Sequence, residues 1–199
     1  MALAVKREIS RADILPIEAY ALERKALRES VVAAKRLRRV AVGPDATFYF
    51  ENYQTMWHQV HEMLFIEKGG EAQIADELAA FNPLIPQGSE LVATMMIEID
   101  DPVRRAATLA KLGHIERHIA FEVAGKRIAA AGETDVERTK DDGKTSSVHF
   151  LRFAFDAASI AAFCKPGARV LLGIDHPNYG HMAVLGEDVR AALAEDFSA

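Results

Sequence analysis

"SSVHFLRFAF" (residues 146–155) decides the fold, because both of its alternating faces are apolar. Val148 and Phe150 fall on one face, and Leu151, Phe153 and Phe155 on the other. An extended segment of this kind belongs inside a sheet that is covered on both sides. His149 runs in phase with Leu151, while Arg152 falls on the Val148/Phe150 face. A histidine and an arginine inside such a strand imply a buried polar partner for each.

Outward from this stretch, further short β-rich segments accumulate. Downstream is "RVLLGID" (169–175); upstream are "IERHIAFEVAG" (115–125) and "KRIAAAG" (126–132). Earlier still, "RVAVG" and "ATFYFE" flank the turn signal "GPD" (43–45) and read as a hairpin, and "ELVATMMIEI" (90–99) reads as a buried strand. Helices fill the intervals. Ser10 and Asp13 have capping-box spacing for a short helix in "SRADILP", and a longer helix is expected over 17–38. Asn52 caps "NYQTMWHQVHEMLFIEKGG", which Gly69 and Gly70 stop. Another helix spans 71–80, before the proline-punctuated loop "FNPLIPQGS". "DDPVRRAATLAKLG" has an Asp cap and a first-turn Pro, and "DAASIAAFCKPG" and "GEDVRAALAEDF" are short helices with acidic starts. The charged stretch 133–144 reads as an exposed connection. The order of elements does not alternate as βαβ. The expectation is an α+β fold: one globular domain over 1–199, with a largely antiparallel or mixed sheet, helices packed against it, and a helical N-terminal segment, 1–39.

Composition excludes several functions. The net charge of −5 gives no electrostatic support for nucleic-acid binding. The cluster "KRLRR" (35–39) is read as cations at the carbonyl end of a helix. A single cysteine, Cys164, leaves no internal disulfide and no Cys-based metal site within one chain, and its setting suggests a buried thiol. No G-x-G-x-x-G or Walker A sequence appears, so no nucleotide cofactor is expected. No apolar run is long enough for a membrane span or leader, which points to a cytoplasmic protein without membrane partners. Homo-oligomerisation is left open.

The candidate chemistry centres on "DHPNYGHM" (175–182). If Pro177–Gly180 form a four-residue turn, His176 and His181 face each other across the ladder, where opposed Cβ atoms are about 4.5–5.5 Å apart. Asp175, out of phase, is placed to orient a ring or support the turn. Helix 52–70 adds His58 and Glu62 at i, i+4, His61 beside Trp57 and Leu64, and Glu67 on the Val60–Leu64 row. His58 reads as exposed. "HIERH" (114–118) is either extended or a turn, and "KTSSVH" lacks the context of a serine nucleophile.

"FYFENYQTMWHQVHEML", "AAFNPLIPQGSELVATMMIEI", "KTSSVHFLRF", "GIDHPNYGH" and "RLRRVAVGP" together resemble a bacterial family of unknown function. Its members are often encoded near rubrerythrin-like and iron–sulfur, heterodisulfide-reductase-like proteins, which implies a redox association and a partner of that kind. The family's polar positions match Glu51, Glu62, Glu67, His149, Arg152, Asp175, His176, Tyr179 and His181 here. His58 and His61 depart from its pattern. The first expectation is a metal-binding protein, either a redox-associated enzyme or an accessory. His149, His176 and His181 would ligate iron, zinc or manganese, with Glu62 or Glu67 completing the shell. Arg152, Tyr179 and Asp175 would be the catalytic candidates. The alternative is a non-enzymatic binding or assembly module for an iron–sulfur partner, in which the same residues form a structural network and "FNPLIPQGS" offers contact surface.

Overall fold

The structure, a computed structural model, describes residues 6–132, 139 and 143–198. Eight strands form one sheet: β1 (Arg39–Val42), β2 (Ala46–Phe50), β3 (Glu90–Ile97), β4 (Ile119–Val123), β5 (Lys126–Gly132), β6 (Val148–Ala154), β7 (Val170–His176) and β8 (Tyr179–Val184). Their order is β1-β2-β3-β6-β5-β4-β7-β8. Every neighbouring pair is antiparallel, so the mixed alternative is excluded. The sheet curls until β1 and β8 approach each other, which makes the fold α+β with a nearly closed barrel.

Alternation along the strands builds the interior. Phe48, Phe50, Leu91, Ala93, Met95, Leu151, Phe153, Phe121, Val170 and Leu172 are fully enclosed. Phe121 and Phe153 meet edge-on at 4.8 Å. Filled by side chains, the barrel has a packed core rather than a channel, as expected for eight strands. β6 lies in the middle of the sheet, as its two apolar faces require. Val92 and Phe150 point outward instead, into a second cluster with Ile9, Ile14, Met56, Val60, Leu64 and Ile85.

That outer cluster is supplied by α1 (Ile17–Arg36), α2 (Tyr53–Glu67), α3 (Glu71–Phe81) and the segment before α1. Asn52 caps α2 by accepting from the Thr55 amide at 3.0 Å. The Ser10/Asp13 pair does bond reciprocally, but it opens only a 3₁₀ turn, Arg11–Asp13. The loop "FNPLIPQGS" is folded in, with Leu84, Ile85, Pro86 and Gly88 buried, and offers little apolar surface.

The two barrel ends are closed differently. α4 (Pro102–Leu109) and a 3₁₀ turn, Ile115–His118, lie at the end that carries the β1–β2 and β7–β8 turns. α5 (Ala157–Cys164) and α6 (Glu187–Ala194) lie at the other. There Phe155, Phe163 and Phe197 stack edge-on at 5.0–5.6 Å. Arg38, only 4% exposed, pairs with the buried Asp196 and donates to the Phe50 and Glu51 carbonyls. The "KRLRR" cluster is therefore split: Lys35 and Arg36 sit in the last turn of α1, while Arg38 is a buried structural cation. Cys164 is exposed, contrary to expectation, because it closes α5 on the solvent side. Most of the 133–144 connection lies outside the described residues. Among those described, no helix is long and apolar enough to cross a membrane.

Candidate functional site

The hairpin register is not the one expected. His176 pairs with Tyr179, so the turn contains only Pro177 and Asn178. His181 pairs with Ile174, two rungs further in. A four-residue loop would have opposed the two histidines, but Tyr179 pairs better because its side chain is needed elsewhere. Its hydroxyl donates to the Val42 carbonyl at 2.8 Å and accepts from the Asp45 and Ala46 amides, both at 2.9 Å. Among the described residues no backbone hydrogen bond joins β1 to β8, so this hydroxyl is what latches the seam. All its bonding capacity is used. Burial pushes the phenol pKa up, which further favours the protonated form.

Gly43 makes the latch sterically allowed. Its φ of +74° is the left-handed region, and a Cβ there would stand 2.5 Å from the His181 ring and 2.8 Å from the Tyr179 hydroxyl. The "GPD" turn signal located this glycine, but nothing in the sequence announced what packs on it.

His176 is buried beneath the loop before the 3₁₀ turn. Its Nε2 lies 3.2 Å from the Gly113 carbonyl, and its Nδ1 accepts from the Asn178 amide at 3.2 Å. That assigns the neutral Nε2–H tautomer and leaves no lone pair for a ligand. His149, 1% exposed, points inward as its phase predicts. Its Nε2 lies 2.9 Å from the Ser146 carbonyl and 3.2 Å from the Thr145 hydroxyl, and its Nδ1 is 3.8 Å from Glu116. "HIERH" is a turn, which is what brings Glu116 to the barrel mouth. His118 packs edge-on against His176 at 4.9 Å and lies 3.3 Å from Asp175, which Arg127 also contacts at 3.0 Å. Asp175 is thus on the outer face, as expected from its phase.

The α2 candidates are not at this mouth. Glu62 accepts from Nε and Nη2 of Arg24, both at 2.8 Å, and from Tyr20 at 2.6 Å, clamping α1 to α2. The Arg24 hydrogen bonds hold its pKa down at about 2. Glu67 is exposed and accepts from Gln73 at 2.8 Å; the inward carboxylate is corrected to a surface one because α2 is in its last turn there. His58 is buried rather than exposed, since α1 lies over it, and burial lowers its pKa. His61 is buried too, its Nδ1 2.7 Å from the Trp57 carbonyl and its Nε2 accepting from the Leu15 amide at 3.0 Å. Arg152 is half-exposed and bonds Glu90 and the Pro83 carbonyl. Glu51, buried, accepts from the Thr55 and Thr94 hydroxyls. Among the described residues, no three His, Cys, Asp or Glu side chains are grouped closely enough to hold a metal ion.

Beside the seam, on the outside of this same end, lies a recess of about 360 Å³. Asp45, Arg104, Thr108, Lys111, Asn178 and His181 line it, over a floor that includes Leu112 and the Tyr179 ring. Arg104 donates to Asp45 at 2.6 Å. Asn178 donates to the Lys111 carbonyl at 2.8 Å, which ties the hairpin turn to the segment after α4. His181 lies edge-on to Tyr179 at 4.6 Å. Sequence reading found His181 and Tyr179 here but not Arg104, Thr108 or Lys111, which sit about 70 residues upstream on and just after a helix that reads as ordinary and amphipathic.

The comparisons with known proteins agree with this fold and give no activity. A family model described as a protein of unknown function (DUF3501) matches residues 8–197. The chain is also similar to a protein of known structure from Burkholderia pseudomallei K96243, described as a novel protein of unknown function. The two are 40% identical, the match covers 96% of this chain and 99% of that one, and the TM-score is 0.88. Among curated proteins, none matches. The chain belongs to the DUF3501 family.

Proposed function

We propose that this member of the DUF3501 family is a binding module rather than a metalloenzyme, and that its ligand is taken at the outer recess beside the seam. One observation carries the reading: at the barrel mouth His176 and Tyr179 commit their polar atoms internally, whereas Lys111, Thr108 and His181 of the recess do not. His176 uses both ring nitrogens on main-chain groups, and Tyr179 uses its whole hydroxyl to latch β1 to β8. To ligate a metal, His176 would have to surrender a bond that ties its buried ring to the main chain, at a cost of about 1–3 kcal/mol. Glu62 and Glu67, the carboxylates expected to complete a shell, are engaged on the helical layer instead. By contrast, no hydrogen bond or ion pair among the described residues engages the Lys111 ammonium, the Thr108 hydroxyl or the His181 ring nitrogens.

The test is elemental analysis of the purified, untagged protein by plasma mass spectrometry, before and after incubation with iron, zinc and manganese salts. The expected result is substoichiometric metal throughout, with His176→Ala lowering the melting temperature. Stoichiometric metal in the wild type that disappears in the His176→Ala/His181→Ala double variant would overturn the reading.

A further inference from the structure

We infer that the recess beside the seam binds the phosphate group of a small molecule, free or as an ester. This rests on the binding-module reading and names its ligand chemistry. The recess is an electropositive exception on a chain whose net charge is −5. Arg104 and Lys111 bring two positive charges to it against the single carboxylate of Asp45. That leaves an excess of one positive charge, which suits an anion such as phosphate.

Donor number and direction favour phosphate as well. Arg104 spends one N–H bond on Asp45, at 2.6 Å, out of the five its guanidinium offers. Lys111, Thr108 and His181 reach the recess from two unconnected elements, the segment ending α4 and strand β8. Three kinds of donor arriving from different sides suit a tetrahedral oxyanion, which presents acceptors in several directions, better than a planar carboxylate. Leu112, which is buried, gives the recess an apolar base.

The frame is fixed before a ligand arrives. Tyr179 pins the β1–β2 turn, and Asn178 pins the β7–β8 turn to Lys111 at 2.8 Å. Gly43 lets the His181 ring lie against the main chain at the recess wall. Little main-chain ordering entropy is therefore left to oppose binding, and the remaining cost is that of fixing the exposed Lys111 side chain. At about 360 Å³ the space exceeds what a bare phosphate fills and is within the range of small-ligand pockets.

The experiment is an NMR titration of the wild-type protein with inorganic phosphate, and separately with phenyl phosphate, at constant ionic strength. Signals of the His181 ring and of the Thr108–Lys111 amides are followed. Saturable shifts confined to this region are expected, with affinity falling about tenfold in Lys111→Gln and unchanged in Lys25→Gln, a control on the exposed face of α1. Tighter binding of phenyl phosphate identifies an ester as the ligand, and equal or weaker binding identifies free phosphate. Non-saturating shifts, shifts reproduced by chloride at matched ionic strength, or equal affinity in Lys111→Gln would overturn the inference. The broader reading fails separately. If the same sample holds stoichiometric metal, the binding-module reading falls, and phosphate binding that a chelator abolishes but Lys111→Gln leaves intact would place the anion on the metal.

Discussion

The two ends of the barrel solve the same problem with different materials. At the α5/α6 end, Phe155, Phe163 and Phe197 fill the opening, and one desolvated ion pair, Arg38–Asp196, ties the start of β1 to the C-terminal residues. At the α4 end the closure is polar. Tyr179, His176, Asn178 and the main chain of residues 42–46 and 111–113 exchange hydrogen bonds across the mouth. Aromatic closure excludes water over a continuous surface, whereas hydrogen-bonded closure leaves room between its bonds. The recess lies at the second end for that reason. A fold that needs both stability and an accessible site can assign them to opposite ends of one core.

The largest expected effect is at the aromatic end. Phe163 is fully buried between Phe121, Phe155 and Phe197, so Phe163→Ala should cost about 3–5 kcal/mol in chemical denaturation. A value near that of an exposed substitution would mean the end is loosely packed, and the contrast would fail. Arg38→Met leaves Asp196 buried without its cation and should cost about 3 kcal/mol, with most of it recovered in Arg38→Met/Asp196→Leu. No recovery in the double variant would show that the ion pair is net stabilising.

At the polar end the effects should be smaller. Tyr179→Phe strips two amides and one carbonyl of their partner and should cost about 1–3 kcal/mol, with selective loss of hydrogen-exchange protection at Asp45 and Ala46. Uniform loss of protection would argue against a local latch.

A pH series sets both ends against the helical layer. Burial lowers the His58 and His61 pKa values, so the unfolded chain binds more protons there than the folded one. Their contribution is present above about 6.5, the ordinary histidine value, and is lost as pH falls below it. Glu62, held at about 2 by Arg24, should add a second loss between about 4.5 and 2. In urea melts, His58→Gln should flatten the slope between pH 7 and 5, and an unchanged slope would remove His58 from this account. The smallest effect is expected in the recess itself. Lys111→Gln should change stability by no more than about 0.5 kcal/mol, because its ammonium holds nothing else in place. A larger loss would make it a structural residue.

Much of the fold was legible. "SSVHFLRFAF" declared a central strand because both its faces are apolar, and "GPD", Asn52 and the Asp101–Pro102 pair marked boundaries through local chemistry that acts within four residues. The phase of His149 was likewise readable, since alternation in a strand admits only two faces. The site was not legible to the same degree. The register of "DHPNYGHM" turned on Tyr179 finding three main-chain groups at residues 42–46, more than 130 residues away. His58 and Cys164 were misplaced because helical periodicity gives a face but not what covers it.

The sequence by itself determined the elements, their order and the apolar content of the sheet, because those follow from side-chain periodicity and turn chemistry along the chain. Only the tertiary structure decided that the sheet would curl until its edges met, that His61 and His176 would be spent on main-chain groups, and that Arg104, Lys111 and His181 would share one recess. Those outcomes depend on which distant segments supply hydrogen-bond partners, and partner choice across the fold leaves no local trace in the chain.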